Sequence, residues 1–183
     1  MKIVLNGCYG GFGLSYEAMY LYLIASGKTP YFYVDVSSYD DYTKQHRYKR
    51  ITLEEANQLA RKLFIYCSTT DQGTYVDNFP VDIMNFNNID RSDPVLVSVV
   101  ETIGSEYASS RFARLEVVEI PDGTLYKIDE YDGLESLITQ DDDDWLLAEE
   151  NVCSEEASTN IKTLWSLIKP KEARPDPDLT FKV

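Results

Sequence analysis

The sequence predicts an α+β or α/β protein with one core domain, a mixed β-sheet with about three helices, and an acidic C-terminal extension. Helical patterns alternate with short β-rich runs over residues 1–139. A hydrophobic fraction of 44% with 26% charged residues is typical of a folded chain. The composition then changes, because four consecutive aspartates begin at residue 141. We therefore divide the chain into a core domain, residues 1–139, and an extension, residues 140–183.

The first 36 residues predict a strand, a glycine-rich loop, a helix and a second strand. Residues 2–5 are almost wholly apolar, and Ser15 is a suitable N-cap for a helix over residues 16–26 that Gly27 ends. Residues 30–36 are aromatic and β-branched, which favours a strand. This β-loop-α-β order is compatible with a right-handed crossover and a parallel pair of strands.

The middle of the chain predicts two more helices separated by a long loop. Thr52 and Glu55 fit a capping box, followed by apolar residues at helical spacing over residues 53–64. Residues 68–88 are rich in turn formers and predict a loop with short strands. Pro94, after Asp93, occupies the tolerated first position of a helix that Gly104 closes.

The last part of the core domain predicts a β-hairpin. Residues 115–120 and 125–131 are β-rich and flank a turn at residues 121–123. A second turn at residues 131–133 leads to a strand or short helix over residues 134–139. In the extension, residues 161–168 fit a helix.

Charge and cysteine usage exclude several classes of function. The net charge of −14 and pI of about 4.4 repel nucleic acid and anionic membranes, so we expect no direct nucleic-acid binding. No apolar run approaches the ~20 residues of a membrane helix, and no signal-peptide pattern opens the chain. Three cysteines without a CxxC pair indicate reduced thiols in the cytoplasm. The spacing of a calcium loop is absent, and we expect neither a metal nor a cofactor.

The glycine-rich loop is the best candidate for a small-ligand site. Four glycines in seven residues indicate unusual backbone angles or close backbone approach. The loop matches neither a dinucleotide fingerprint nor a P-loop, so tight strand-to-helix packing is the favoured interpretation and ligand binding the alternative. The candidate ligand-binding residues are Asn6, Gly7, Cys8, Tyr9, Gly10, Gly11, Phe12, Gly13 and Ser15.

Cysteine chemistry and nucleic-acid binding have weaker support. A nucleophilic Cys8 needs a base, and the only histidine is His46, in a basic segment at residues 44–50. A small buried hydrophobe is the better interpretation of Cys8. We expect the basic segment to pair with the protein's own carboxylates or with an acidic partner rather than with a phosphate backbone.

The acidic stretch is the strongest electrostatic feature. Residues 129–156 contain twelve carboxylates and neither lysine nor arginine. Such a run is usually a solvated loop, but here it also carries Trp145 and leucines, which suit docking on a basic surface. The candidate partner-binding residues are Asp141, Asp142, Asp143, Asp144, Trp145, Glu149 and Glu150.

The chain contains two notable blocks, KIVLNGCYGGFGLSYEA at residues 2–18 and VVEIPDGTLYKIDEYDGLE at residues 117–135. Together they resemble a family of small bacteriophage proteins without an assigned activity. The resemblance implies a phage accessory protein working in the host cytoplasm. We expect a non-catalytic protein that binds and modulates a host protein through an acidic surface resembling nucleic acid. One alternative is a protein that binds a nucleotide signal in the glycine loop, and a second is a Cys-dependent enzyme. The sequence is also compatible with a homo-oligomer.

Overall fold

The computed structural model describes residues 1–37, 46–60, 62–139, 146–147 and 152–169. It confirms the α+β class. The helices are α1 (Tyr16–Ala25), α2 (Leu53–Leu59), α3 (Pro94–Ala108) and α4 (Glu155–Ile168). The strands are β1 (Lys2–Asn6), β2 (Tyr31–Asp35), β3 (Arg47–Ile51), β4 (Ile65–Ser68), β5 (Tyr75–Asp77), β6 (Leu115–Glu119), β7 (Leu125–Tyr131), β8 (Leu134–Ile138) and β9 (Leu146–Leu147).

The described strands form three antiparallel sheets instead of the single mixed sheet that we predicted. Their strand orders are β1-β6, β4-β2-β3-β5 and β8-β7-β9. The predicted parallel pair is also wrong, since α1 leads from β1 into a different sheet, where β2 pairs antiparallel with β3 and β4. Order along the chain does not determine pairing, because an antiparallel partner can come from any distance in sequence.

The predicted hairpin over residues 115–131 is wrong as well. Strand β6 pairs with β1, with Val117 opposite Val4, whereas β7 pairs with β8 and β9. The turn at residues 121–123 does form, with Gly123 at φ +82°, but it takes the chain from one sheet to the next. Ile120 and Tyr126, on either side of this turn, are buried in a small core between the β1-β6 and β7-β8 pairs.

The second predicted turn is confirmed as the tip of the β7-β8 hairpin. Asp132 and Gly133 have φ values of +51° and +84°, the positive pair that a type I′ turn requires. The predicted starts of α1, α2 and α3 are also confirmed: Ser15 and Asp93 cap α1 and α3, and Thr52 and Glu55 form both bonds of the capping box. Helix α4 begins at Glu155, six residues before its predicted start, because Ser154 caps it. Gly104, at φ +79°, interrupts α3, and the helix resumes as far as Ala108.

Helix α2 ends at Leu59, five residues before its predicted end, and the chain then enters β4. Ile65 is opposite Val34 on the neighbouring strand, so sheet pairing overrides the helical spacing. No strand was predicted in the basic segment. Its described part contains β3, an inner strand between β2 and β5.

The main core lies between the helices, the four-stranded sheet and one face of the β1-β6 pair. Helix α4 packs against α1 and α3 and contributes the fully buried Ile161. The domain boundary at residue 139 stays a prediction, but this helix of the extension belongs to the same core. Within the described ranges, no helix is long and apolar enough to cross a membrane.

Candidate functional site: the junction at the glycine loop

The glycine loop forms a junction with residues 109–114 and the β7-β8 turn, organised around the fully buried Asn6. Its side-chain amide donates to the carbonyl oxygens of Cys8 and Gly133, both at 2.6 Å. Its Oδ1 accepts the backbone N–H of Arg114 at 2.8 Å. One side chain at the end of β1 therefore connects three segments that are far apart in sequence, and each of its bonds satisfies a buried polar group.

An ion pair between Arg91 and Glu135 also contributes to this junction. Glu135 accepts the backbone N–H of Asn6 through Oε2 at 2.9 Å and binds Arg91 Nη2 through Oε1 at 2.9 Å. The guanidinium carbon of Arg91 lies 3.4 Å from the centre of the Phe12 ring. Only 15% of the Arg91 side chain and 8% of the Glu135 side chain are exposed, so water screens this pair little.

The glycines of the loop lie against the protein's own chain. A Cβ atom at Gly10 would overlap the carbonyl oxygen of Phe112, and one at Gly13 would lie 2.5 Å from Ser110 Oγ. From the other side, a Cβ at Gly133 would overlap the backbone nitrogen of Gly11, which itself has φ +83°. These contacts support the packing interpretation of the glycine cluster. Ligand binding by residues 6–13 and Ser15 stays a prediction.

The start of α1 is also engaged by the protein itself. Ser15 Oγ accepts the N–H of Ala18 at 3.0 Å and donates to the carbonyl of Tyr107 at 2.5 Å. Glu17, buried in the first turn, places a carboxylate where an anionic ligand would need positive potential.

Cys8 and His46 have different neighbours. The Cys8 thiol lies 3.4 Å from Asn6 Oδ1 and 3.3 Å from the carbonyl of Phe112. His46 Nδ1 lies 2.7 Å from Asp35 Oδ2, and its ring stacks on Tyr48 at the four-stranded sheet. The described contacts therefore do not bring a base to Cys8. No group of three or more His, Cys, Asp and Glu able to hold a metal ion occurs in the part of the chain that the structure describes.

The junction carries exposed aromatic side chains, one on each of its three segments. Tyr9, Phe112 and Tyr131 are 65%, 63% and 77% exposed. Arg111 lies over Phe112, 5.0 Å from its ring centre. Tyr9 is among the ligand-binding residues predicted from the sequence, whereas Phe112 and Tyr131 belong to neither predicted site. The one signal for Tyr131 was its place directly before the Asp-Gly turn, which must project from the protein.

Three acidic residues lie within two positions of Tyr131 in the sequence. Asp129, Glu130 and Asp132 are all exposed, and none of the three forms an ion pair with another described residue. Glu130 accepts the N–H of Gly133 at 2.8 Å, which fixes its position beside the turn. We call residues 129–132 the acidic tip. The predicted partner-binding residues Asp141, Asp142, Asp143, Asp144, Trp145, Glu149 and Glu150 lie outside the described residues.

Half of the described lysine and arginine residues form ion pairs with the protein's own carboxylates: Lys2, Arg47, Lys49, Arg50, Arg91 and Arg114. In the basic segment, Arg47, Lys49 and Arg50 lie 3.5, 3.9 and 2.7 Å from Asp77, Glu55 and Asp71. This pairing in the described part of the segment agrees with the first of the two alternatives expected for it. Arg114 likewise pairs with Glu116 at 2.8 Å and donates to the carbonyl of Gly7. The carboxylates of the acidic tip, by contrast, form no ion pair with a described residue.

Comparison with known proteins adds no relative to this description. No protein-family model, no curated protein and no solved structure matches the chain.

Proposed function

We propose that this protein is a non-catalytic bacteriophage accessory protein that docks on a basic face of a host protein in the cytoplasm and alters its activity. The observation that carries the proposal is the acidic tip, where an exposed tyrosine at a hairpin turn is accompanied by three exposed carboxylates that form no ion pair with a described residue. The proposal rests on this charge and geometry together with the phage resemblance of residues 2–18 and 117–135.

The chemistry of the tip suits arginine and lysine side chains. A guanidinium group can stack on the face of Tyr131 while it binds a neighbouring carboxylate, and both contacts favour the same cation. Tyrosine and arginine are the residues that most often dominate protein interfaces. A surface that normally binds nucleic acid supplies such cations in quantity, and the net charge of −14 steers the two proteins together.

The fold sets the backbone of the tip. Asp132 and Gly133 have the two positive φ values of the hairpin turn, and the backbone of Gly133 lies close to that of Gly11. Backbone that is ordered before association has less conformational entropy to lose on binding.

The aspartate run of the extension is the second part of the proposed surface. Residues 141–144 lie outside the described residues, so the run is tested with a variant of its own, apart from the tip.

The test is binding to a purified host partner, identified by affinity capture with the full chain. Two variants each remove two charges: Asp129→Asn with Asp132→Asn at the tip, and Glu54→Gln with Asp77→Asn away from it. A third variant replaces residues 141–144 with asparagine. We expect affinity to fall with rising salt, to fall at least tenfold in the tip variant, and to stay within about twofold in the control.

Capture that ignores salt and survives neutralisation of both the tip and residues 141–144 would overturn docking by charge. The competing enzymatic interpretation predicts that Cys8→Ala abolishes the biological effect. The binding proposal predicts that the Cys8→Ala protein keeps it.

A further inference from the structure

A cavity of about 370 Å³ lies on the α3 side of the β1-β6 pair, away from the glycine loop and the acidic tip. Helix α3 contributes one face, including Ser98 and Glu101. The β1-β6 pair contributes Lys2 and Glu119, and the segment leading into α4 closes the third side through Cys153. This volume falls within the range of about 300–1,000 Å³ that small-molecule sites occupy.

The first observation that points to a ligand is Ser98. It is only 9% exposed and lines the cavity from the helix. Its hydroxyl makes no hydrogen bond to any group in the described part of the protein. Buried hydroxyls are normally paired, because an unpaired one has lost its hydrogen bonds to water without replacement. A polar group entering the cavity would restore that bond.

The second observation is the balance of charge around the cavity. Lys2 Nζ is 2.6 Å from Glu101, and the N-terminal ammonium of Met1 is 2.6 Å from Asp122. Glu119, the cross-strand partner of Lys2, is the third carboxylate on this wall and has no ion pair of its own within the described ranges.

The surplus of negative charge also acts on Lys2. Its hydrogen bond and attraction to Glu101, together with the charge of Glu119, raise the pKa of the lysine above its ordinary value. Among the described residues that line the cavity, three carboxylates against two ammonium groups leave a net negative potential, which attracts a cation and repels an anion.

We propose that this cavity binds a small organic amine, with one ammonium group on the Glu119 carboxylate and a second polar group hydrogen-bonded to Ser98. The two protein groups come from different elements, so they define a ligand with separated polar ends rather than a single ion. This site is independent of the acidic tip and of the proposed docking function.

The test uses the full chain and 1,4-diaminobutane, with the neutral 1,4-butanediol as a matched analogue. We expect the diamine to raise the melting temperature in a saturable way and the diol to leave it unchanged, since only a ligand that binds the folded state stabilises it. In a two-dimensional NMR titration, the diamine should shift the amide signals of residues 97–101 and of Glu119.

Two substitutions and a control separate this site from general attraction to an acidic protein. Glu119→Gln should weaken diamine binding roughly tenfold, because a charged hydrogen bond is lost. Ser98→Ala should weaken it about threefold and leave the fold intact, because only an unpaired hydroxyl is removed. Glu54→Gln removes the same charge outside both the cavity and the acidic tip and should leave affinity unchanged. Absence of saturable binding at millimolar diamine, or equal losses in Glu119→Gln and Glu54→Gln, would overturn the proposal.

Discussion

Arg91 and Glu135 form a largely buried ion pair, 2.9 Å from Nη2 to Oε1, that fastens the segment before α3 to strand β8. The second oxygen of Glu135 binds the backbone of Asn6, where the chain enters the glycine loop. The position of the loop therefore depends on a carboxylate 129 residues further along the chain. Such a pair contributes little net stability compared with apolar packing, but removing one partner leaves a buried charge without compensation.

Glu135→Ala should lower the free energy of unfolding by about 3 kcal/mol, since it leaves both the Arg91 guanidinium and the Asn6 N–H without this acceptor. Urea denaturation measures the effect. The adjacent exposed Ser136→Ala is the matched control and should change stability by less than about 0.5 kcal/mol. A loss below about 1 kcal/mol in Glu135→Ala would show that the junction does not depend on the pair.

Replacing a glycine of the junction with alanine should lower the stability more than replacing a glycine that is needed only for its backbone angles. Gly10→Ala forces a methyl group onto the Phe112 carbonyl, so the two segments must separate. We expect a loss of about 3 kcal/mol. Gly27→Ala, where φ is +73° in open space, should lose about 1 kcal/mol from backbone strain alone. Equal losses in the two variants, measured by urea unfolding, would contradict close packing at Gly10.

Alkaline pH should destabilise the protein in part through Tyr22. Burial, together with the hydrogen bond to Asp93, raises the pKa of this phenol from 10.0 to about 12. The folded state therefore keeps the Tyr22 proton at pH values where the unfolded state has lost it. The stability that protonated Tyr22 contributes is fully present below pH 10.0 and is lost as the pH rises to about 12.

Tyr22→Phe removes this contribution along with the hydrogen bond. The variant should be less stable by about 1 kcal/mol near neutral pH. It should also lose less stability than the wild type as the pH rises from 10.0 to about 12. The exposed Tyr9→Phe serves as a control for general effects of tyrosine ionisation. Parallel pH dependence in wild type and Tyr22→Phe would argue against this assignment.

The three cysteines should react with thiol reagents in a defined order. Burial raises the pKa of Cys67 to about 12, and the residue is almost inaccessible in the main core. Cys8 and Cys153 are half-buried free thiols. A chromogenic disulfide at about pH 8 should therefore modify two thiols in the folded protein and all three in urea. Fast modification of Cys67 in a Cys8→Ser, Cys153→Ser background would contradict its burial.

Signals that act over a few residues were readable in the sequence. The caps at Ser15 and Thr52, the start of α3 at Asp93 and the Asp132-Gly133 turn each depend on hydrogen bonds or backbone angles within four residues. Helix length was less readable, because α2 stops where Ile65 enters the sheet. Strand β3 was not predicted in the basic segment, where Arg47, Lys49 and Arg50 each meet a carboxylate only in the folded protein.

Pairing and the candidate site depended on distant partners. The glycine cluster correctly indicated close backbone approach, but nothing near it in sequence named Phe112, Gly133 or Glu135 as its neighbours. The acidic tip was visible as charge, whereas only the tertiary structure shows that its carboxylates form no ion pair with another described residue.

By itself the sequence determined the α+β class, the starts of α1, α2 and α3, the β7-β8 turn and the excess of negative charge, because these follow from composition and local hydrogen bonding. Only the tertiary structure decided that β1 pairs with β6, that Asn6 joins three segments, and that Ser98 and Glu119 share a cavity. The physical reason is that strand pairing and burial are chosen by packing of the whole core, where residues more than a hundred positions apart compete for the same neighbours.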